Sequence, residues 1–392
     1  MKLLYITDND IHGHGGGSIG SLKYYDAAKN YADMHKIELK VISLGQNISE
    51  SLGIPVIKTN SIDRISRICG HSTFMYIVIK KHIDELKQYN PDIVLLGRSR
   101  LGFLAKILKN YNTNIKVITF FENIEFDYVD GYFAQLKGPK AIFYKLIEKM
   151  AVKRDESDAI NYSDELVFLT ERDANRARVL YSWTRKNFRI IPICLKENQP
   201  LHIKSIKKTI AFVGSLNYDS NLVALKNFIE HVWKPYLKND STFQFIIAGS
   251  KPKQYIYNWV KNFDNITVVA DFDNLANILP VNTLMIAPIE KGKGAGMKVK
   301  VADTLSMGLM IAASDEALVG YEKAIEEDHL KGIMRCNTAN EYVDAIRYYS
   351  SISDDMKIAI FRQNIAIFNK YYTFEVARSA ISEIINKFFI VR

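Results

Sequence analysis

The strongest constraint on the fold is an alternation of short β-branched runs with longer amphipathic patterns, which begins at the N-terminus. In the first half we predict strands at 2–7, 38–44, 91–96, 115–120 and 165–170, and helices at 18–35, 73–89, 102–110 and 171–181. Strands separated by helices indicate βαβ units and a parallel sheet. The first half is therefore expected to form one α/β domain.

The same alternation restarts after a polar, basic segment at 196–208, which we interpret as a linker. Further strands are predicted at 209–213, 243–248, 266–270, 283–287 and 309–313. A chain of 392 residues has room for two domains. We predict two doubly wound α/β domains, at 1–200 and 201–372, followed by a helix at about 373–392. In such sheets, ligands bind beyond the carboxyl ends of the strands.

The formal net charge is +9, and it is concentrated in one stretch, 58–116, with 11 basic side chains against 4 acidic ones. Such a stretch can face an anionic membrane surface or an acidic substrate, or it can be a solvated surface without a partner. No nucleic-acid recognition module is recognisable, so nucleic acid is not expected as a partner. The helix predicted at 139–153 is interpreted as packing its apolar side on the core; the alternative is a helix that lies on a membrane surface, since lysines occupy its other face.

Cysteine spacing and hydropathy limit the class of protein further. Cys69, Cys194 and Cys336 are far apart and odd in number, which argues against a disulfide framework or a zinc site. The most conspicuous apolar run, 74–79, is far shorter than the roughly 20 residues of a membrane span. We expect a cytoplasmic protein, with peripheral attachment to the inner face of the membrane left open.

A glycine cluster follows the first predicted strand. Gly15, Gly17 and Gly20 match the spacing of a dinucleotide-binding fingerprint, but the second strand ends in Leu44-Gly45, without the carboxylate that such a site needs for the ribose. A nicotinamide or flavin is therefore not expected. The cluster is either an anion site at a helix N-terminus or a flexible loop.

A second glycine-rich segment, at 288–308, is more specific. Its glycines alternate at 292, 294 and 296 just before a helix, where consecutive N–H groups can bind a phosphate. Lys298 and Lys300 supply charge for a diphosphate, and Asp303 lies one turn inside the helix, within reach of a ribose. The segment lacks the P-loop pattern.

This segment resembles the donor-binding signature of the GT-B, family 4-type retaining glycosyltransferases (glycosyltransferase group 1). Lys300 matches the lysine of that signature, and Asp303 matches its second acidic residue, which the family uses on the donor ribose. The segment 212–218 with Asn221, and Trp233-Lys234-Pro235 further on, resemble the opening of the donor domain in one branch of this family. Gly16 and Gly17 match its glycine pair near the donor phosphates.

The resemblance implies a GT-B fold, with two Rossmann-like domains facing a central cleft and the final helix packed back on the first domain. It implies transfer with retention of anomeric configuration, without a metal ion or a cofactor. The donor is expected to be a nucleotide sugar, with a UDP-sugar favoured over a GDP-sugar. The acceptor is expected to be a glycan or a lipid-linked molecule of cell-surface polysaccharide or glycoconjugate biosynthesis, with a membrane surface meeting the 58–116 stretch.

Candidate site residues follow from the pattern and the resemblance together. We expect Glu122, after the fourth strand, to lie beside the acceptor hydroxyl, or else to cap or pair with Arg98 or Arg100; Lys300 is the second catalytic candidate. The candidates for donor binding are Gly16, Gly17, Gly214, Ser215, Asn217, Glu290, Gly294, Ala295, Gly296, Lys298, Lys300 and Asp303. No metal ligands are predicted.

Three departures from the family's pattern leave other functions open. Ala295 stands where the family has the first acidic residue of its pair, and Asp303 is shorter than the glutamate of the second position. The segment 121–125 lacks the histidine that often lies beside the donor sugar. The alternatives are a non-catalytic protein that binds sugar nucleotides on the same fold, and a sugar-nucleotide epimerase.

Overall fold

The computed structural model describes residues 1–13, 16–45, 49–133, 138–184, 188–198, 201–272, 274–293 and 296–389. The chain divides into two compact units. Unit 1 comprises Met1–Cys194 together with Phe374–Arg392, and unit 2 comprises Leu195–Thr373. Unit 2 therefore begins at Leu195, a few residues before the predicted boundary at 200.

Unit 1 contains a parallel sheet of six strands in the order β2-β1-β3-β4-β5-β6. Its strands are β1 (Lys2–Asp10), β2 (Glu38–Leu44), β3 (Ile93–Leu96), β4 (Lys116–Phe121), β5 (Glu165–Phe168) and β6 (Arg189–Ile190). The central strands β3 and β5 are buried throughout, which explains their continuous apolar sequences. Strands β2 and β3 lie on opposite sides of β1, so the direction in which successive strands are added to the sheet reverses at β1. Doubly wound sheets bind ligands at such a reversal point.

The helices of unit 1 differ from the prediction in two places. They are α1 (Gly16–His35), α2 (Asn60–Ile68), α3 (Met75–Lys81), α4 (Ile83–Tyr89), α5 (Gly102–Tyr111), α6 (Glu125–Phe133), α7 (Pro139–Tyr162) and α8 (Glu171–Tyr181). The single helix predicted at 73–89 is wrong, because the chain leaves helical geometry at His82, with φ −115° and ψ 28°. Helix α2 was not predicted; the Thr59 side chain caps it by accepting a hydrogen bond from the Ile62 N–H.

Helix α5 packs against the backbone of α7 at Gly102. A Cβ atom at this position would lie 2.0 Å from the Asp155 carbonyl oxygen and 2.4 Å from the Ala159 nitrogen. We expect Gly102→Ala to lower the free energy of unfolding by about 2–3 kcal/mol, because neither backbone can yield without moving a helix. Denaturant unfolding measures this, with the exposed Asn110→Ala on α5 as control, expected to change stability by less than about 0.5 kcal/mol. Equal stabilities of the two variants would contradict the tight contact.

Unit 2 contains a second parallel sheet of six strands, in the order β12-β11-β10-β7-β8-β9. Its strands are β7 (Lys208–Val213), β8 (Phe243–Gly249), β9 (Ile266–Ala270), β10 (Leu284–Ala287), β11 (Met310–Ala313) and β12 (Ile333–Arg335). The chain runs outward from β7 to β9 and then returns to place β10 on the other side of β7. The direction in which successive strands are added therefore reverses between β7 and β10, and this place is the reversal point of the unit 2 sheet.

The helices of unit 2 flank this sheet. They are α9 (Asp219–Phe228), α10 (Lys234–Tyr236), α11 (Gln254–Val260), α12 (Val299–Ser306), α13 (Glu322–Glu326), α14 (Ala339–Ser351) and α15 (Asp354–Tyr371). A π-helical turn, Ile229–Trp233, connects α9 to α10 and buries Trp233. The Trp233 indole N–H donates to Asn265 Oδ1 at 3.2 Å, so the helix and β9 are joined by a buried polar contact.

The final helix, α16 (Phe374–Phe389), belongs to unit 1 and packs on α1. Its buried residues Ile381, Ile384 and Ile385 share one core with β1 and α1. The Arg378 guanidinium bonds to the Asp26 carboxylate at 2.7 Å, and the Tyr31 hydroxyl bonds to Asn386 Oδ1 at 2.6 Å. The helix therefore completes one layer of unit 1.

The first half of α7 is not core-facing, contrary to the prediction from its apolar spacing. Ile142, Phe143, Leu146 and Met150 are all exposed, whereas the core is met from Ala151 onward. The apolar spacing identified the helix correctly, but spacing alone does not distinguish a buried face from an exposed one. None of the helices within the described residues is long and apolar enough to cross a membrane.

The basic stretch at 58–116 is not one exposed cationic surface. Six of its 11 basic side chains form ion pairs with acidic side chains of unit 1, namely Arg67, Arg98, Arg100, Lys106, Lys109 and Lys116. Arg100 is buried, and its partners Glu125 and Glu148 are buried too. Much of the local positive charge is therefore paired with carboxylates within unit 1.

Candidate active site

In unit 2, the reversal between β7 and β10 brings two predicted segments to one sheet edge. Gly214 follows β7 directly, and the segment from Pro288 follows β10. The turn after β7 is close-packed, since a Cβ atom at Gly249 would lie only 1.8 Å from the Gly214 carbonyl oxygen. The Ser215 hydroxyl bonds to Asn217 Oδ1 at 2.6 Å. The predicted donor-domain opening thus forms a compact turn at the reversal point.

Lys300 reaches this turn from the first turn of α12. Its Nζ donates to Asn221 Oδ1 at 2.9 Å and lies 4.2 Å from the centre of the Phe212 ring. Asn221 in turn donates to the Ser215 carbonyl at 3.0 Å. Desolvation, followed by the charge of Lys298, lowers the Lys300 pKa to about 7. Burial makes the charged form of Lys300 unfavourable in the free protein, and an anionic ligand beside it would offset that cost. Lys300 is therefore suited to bind an anion.

The glycine-rich segment before α12 is described only in part. Gly294 and Ala295 lie outside the described residues, whereas Gly296 has φ 64°, a conformation that favours glycine. Lys298 is the N-cap of α12, and its Nζ donates to the Gly296 carbonyl at 2.8 Å. Glu316 accepts from the Gly292 N–H at 3.0 Å and lies 4.0 Å from Lys298 Nζ. Lys298 and Lys300 therefore lie at the start of the same helix.

The two acidic candidates of unit 2 have different surroundings. Asp303 faces Asn198, whose Nδ2 lies 3.4 Å from Oδ1, and burial raises its pKa to about 6. Glu290 lies after β10 and accepts a hydrogen bond from Asn227 Nδ2 at 2.5 Å. Asp303 is thus held within the unit, while Glu290 remains at the sheet edge.

Tyr321 was not predicted as part of this site, although it positions the start of α12. Its buried hydroxyl donates to the Lys298 carbonyl at 2.8 Å and accepts from the Ala302 N–H at 3.1 Å. Both groups belong to the first turn of the helix that carries Lys300. No local sequence pattern marks such a tyrosine, because its partners are about 20 residues away.

In unit 1, the carboxyl ends of β1, β3 and β4 carry a second polar cluster. The Arg98 guanidinium bonds to Asp8 at 3.2 Å and to Glu125 at 2.5 Å, and the Thr73 hydroxyl donates to Asp8 at 2.9 Å. Burial alone raises the Glu125 pKa, but the charges of Arg98 and Arg100 bring it down to about 2. Pairing with Arg98 and Arg100, considered for Glu122 from the sequence, is made by Glu125 instead.

Glu122 lies at the end of β4 against the first helix of the unit. A Cβ atom at Gly20 would lie 1.5 Å from Glu122 Oε1, so only glycine leaves room for this carboxyl group. Burial raises the Glu122 pKa to about 7, despite the opposing charges of Lys23 and Arg98. A carboxyl group with this pKa can exchange a proton near neutral pH.

The glycine pair of unit 1 lies in the first turn of α1, next to the end of β1. The Asn9 side chain donates to the Gly17 carbonyl at 2.9 Å and to the Ser21 hydroxyl at 3.0 Å. A Cβ atom at Gly17 would come within 3.1 Å of Asn9 Nδ2. Gly16 begins the helix. This helix terminus provides N–H groups at the sheet edge that also carries Glu122.

Within the described ranges, no group of three or more His, Cys, Asp or Glu side chains is arranged to hold a metal ion. The candidate residues therefore form two clusters, one in each unit. Unit 2 brings together Gly214, Ser215, Asn217, Lys298 and Lys300, and unit 1 brings Gly17 and Glu122 to the same sheet edge.

Comparisons with known proteins give a family match for part of unit 2 and the fold of the whole chain. Residues 207–351 match the model of the family "Glycosyl transferases group 1". None of the curated proteins compared with the chain by sequence matches it significantly.

Solved structures match over nearly the whole length. A glycosyltransferase from Rickettsia africae is 14% identical with a TM-score of 0.66, covering 99% of this chain and 98% of its own. WaaG, a glycosyltransferase involved in lipopolysaccharide biosynthesis, is 12% identical with a TM-score of 0.66, covering 97% and 99%.

HepE from Anabaena, in complex with UDP and glucose, is 10% identical with a TM-score of 0.60, covering 99% and 100%. Identities this low establish the fold alone. Residues 207–351 thus match the group 1 glycosyltransferase family, and the chain as a whole has the GT-B glycosyltransferase fold.

Proposed function

We propose that the protein transfers a sugar from a nucleoside-diphosphate sugar to a glycan or lipid-linked acceptor, with retention of anomeric configuration. The observation that carries this proposal is the position of Lys300 at the reversal point of the unit 2 sheet, within 2.9 Å of Asn221 and next to the Gly214 turn. A cation beside a glycine turn and a helix N-terminus is suited to a diphosphate. The match of this unit to group 1 glycosyltransferases agrees with that ligand.

Charge on the leaving diphosphate is the main difficulty of the reaction. We assign its stabilisation to Lys298, Lys300 and the backbone around Gly296, with Gly294 and Ala295 included as predictions. N–H donors and cations that are fixed before the reaction need no reorganisation as the charge develops. Asp303 is proposed to bind the donor ribose and Glu290 the sugar hydroxyls. Gly214, Ser215 and Asn217 complete the proposed donor site of unit 2, and a donor-phosphate role for Gly16 and Gly17 of unit 1 remains a prediction.

Glu122 is proposed to act beside the acceptor hydroxyl. Its raised pKa allows it to accept a proton from that hydroxyl when it is ionised. No metal ion and no cofactor are proposed. We favour a UDP-sugar, since a solved structure of the same fold, HepE, is a complex with UDP and glucose. WaaG, with the same fold, is involved in lipopolysaccharide biosynthesis, which agrees with a role in cell-surface polysaccharide or glycoconjugate synthesis. A cytoplasmic location is proposed together with this role.

A thermal-shift screen with UDP, GDP, ADP and CDP, followed by assays of nucleotide release from the matching sugars, tests the proposal. We expect UDP to stabilise the protein most, by about 2.7 kcal/mol at 100 times its Kd. UDP should then be released from a UDP-sugar in the presence of an acceptor.

Other outcomes would replace the proposal with one of its alternatives. Stabilisation by UDP without turnover of any nucleotide sugar would indicate a non-catalytic binding protein. Conversion of the sugar moiety without net release of UDP would indicate an epimerase. Failure of all four nucleotides to stabilise the protein would contradict the donor site itself.

A further inference from the structure

The N-terminal half of α7 carries a large exposed apolar face. Ile142, Phe143, Leu146 and Met150 are 62%, 61%, 57% and 73% exposed. At 100° per residue these four positions fall on one side of the helix, within an arc of about 100°. Monomeric soluble proteins rarely leave so many large apolar side chains together in water, so the face is expected to have a partner.

The exposed half is firmly joined to unit 1. The second half of the same helix is buried through Ala151, Val152 and Ala159. Nearer the exposed face, Asp130 of α6 forms ion pairs with two lysines of α7, Lys145 at 2.8 Å and Lys149 at 2.6 Å. One carboxylate thus pairs with two ammonium groups, which leaves this edge of the helix with a positive charge.

Helix α2 lies beside α7 and also exposes apolar residues. Its Ile65 and Ile68 are exposed, and Ile68 is among the most exposed apolar side chains of the chain. Arg67 on α2 bonds to Glu148 on α7 at 2.6 Å, and Arg154 on α7 donates to the Cys69 carbonyl at 3.3 Å. The two helices therefore present their apolar residues from neighbouring positions.

Cations accompany these apolar residues. Lys140, Lys153 and Arg154 on α7 and Arg64 on α2 are all exposed. The surface is therefore apolar with a basic surround, on a chain whose net charge is +9. An anionic partner is favoured by this arrangement, whereas a second copy of the chain would bring like charges together.

We propose that this surface, formed by α7 residues 142–150 with Ile65 and Ile68 of α2, docks on an anionic phospholipid bilayer. Helices with an apolar face and basic flanks lie in the interface of such membranes, with the apolar side chains among the acyl chains and the cations at the headgroups. The proposal does not rest on the transfer reaction. It also differs from contact through the 58–116 stretch as a whole, because six of the cations in that stretch are paired within the protein.

Co-sedimentation of the full chain with vesicles tests the proposal. We expect binding to phosphatidylcholine vesicles that contain about 30 mol% phosphatidylglycerol, and much weaker binding to phosphatidylcholine alone. Phe143→Ser with Leu146→Ser should lower the partition coefficient at least about tenfold, since two large side chains no longer enter the bilayer. The matched control is Met34→Ser with Val179→Ser, which changes two equally exposed apolar residues elsewhere on unit 1 and should bind like wild type.

A second measurement does not depend on losing binding. Phe143→Trp fluorescence should be quenched by vesicles with brominated acyl chains, whereas Met34→Trp fluorescence should not. The proposal is overturned if the wild type ignores anionic vesicles, or if both serine variants bind equally. It is also overturned if the Phe143 and Leu146 substitutions abolish a concentration-dependent dimer in ultracentrifugation without changing vesicle binding, because the partner is then a second copy.

Discussion

Lys300→Met is expected to lower kcat/KM for a nucleotide sugar by about a thousandfold, which is the upper range for removing one fixed donor to a developing charge. The substitution keeps the length and apolar stem of the side chain that packs on Phe212, so the fold should persist. Its ammonium group is lost, and Asn221 then has no cation to hold near the Gly214 turn. Steady-state kinetics with a UDP-sugar measures the effect.

The pKa of Lys300 adds a pH dependence that belongs to this residue. In the ligand-free protein the pKa is about 7, so the side chain is mostly neutral above that pH. Binding a diphosphate favours the protonated form, and UDP binding above pH 7 must therefore take up a proton. We expect UDP affinity to fall by about tenfold between pH 7 and pH 8.5, because the fraction of free protein with a protonated Lys300 falls from about one half to about 3%.

Calorimetry in two buffers with different ionisation enthalpies measures this proton uptake. Lys300→Met should remove both the uptake and the pH dependence. The control is Lys238→Met, which removes an exposed lysine of the same unit and should leave kinetics and binding unchanged. Wild-type affinity and turnover in the Lys300 variant would refute the assigned role.

Glu122→Gln is expected to reduce sugar transfer by at least about a hundredfold while leaving UDP binding within about twofold of wild type. The amide has the shape of the carboxyl group, so it fits beside Gly20, but it cannot accept a proton. Rates of transfer and UDP titrations on the same preparation separate these two effects. Glu38→Gln, an exposed carboxylate on β2, is the matched control.

The pH profile of the wild type gives an independent test of Glu122. Its pKa is raised to about 7, so the carboxyl group is protonated below that pH and cannot accept a proton there. Transfer should therefore fall as the pH decreases through 7, and the residual activity of Glu122→Gln should lack this dependence. An unchanged acid limb in the variant would assign the titration to another group.

Most strand positions could be predicted from sequence, because buried parallel strands consist of short apolar runs such as 91–96; the three-residue strand β12 was not predicted. Helix limits were harder. The break at His82 interrupts a pattern that continues without a visible signal, since the residues on either side keep helical spacing. Helix α2 is polar overall and short, so its capping by Thr59 and its contact with α7 determine it more than its own sequence does.

The candidate site shows the same division. The positions of the glycine turns and of Lys300 in the fold could be predicted, because each lies at the end of a strand or the start of a helix. The pairing of Lys300 with Asn221 joins residues 79 positions apart, and sequence spacing carries no information on it. Likewise, the pattern did not distinguish Glu122 from Glu125, which are three residues apart and differ in which one meets Arg98 and Arg100.

The position of α16 has a consequence for the order of folding. Its apolar residues share a core with β1, which is synthesised before the whole of unit 2, so this core closes only after 374–389 have left the ribosome. Unit 2, at 195–373, emerges whole before that moment. During translation, the surface of β1 and α1 that later meets α16 is uncovered for most of the synthesis time. Chaperones that bind exposed apolar segments can therefore bind unit 1 during translation, until α16 packs on this surface and covers it.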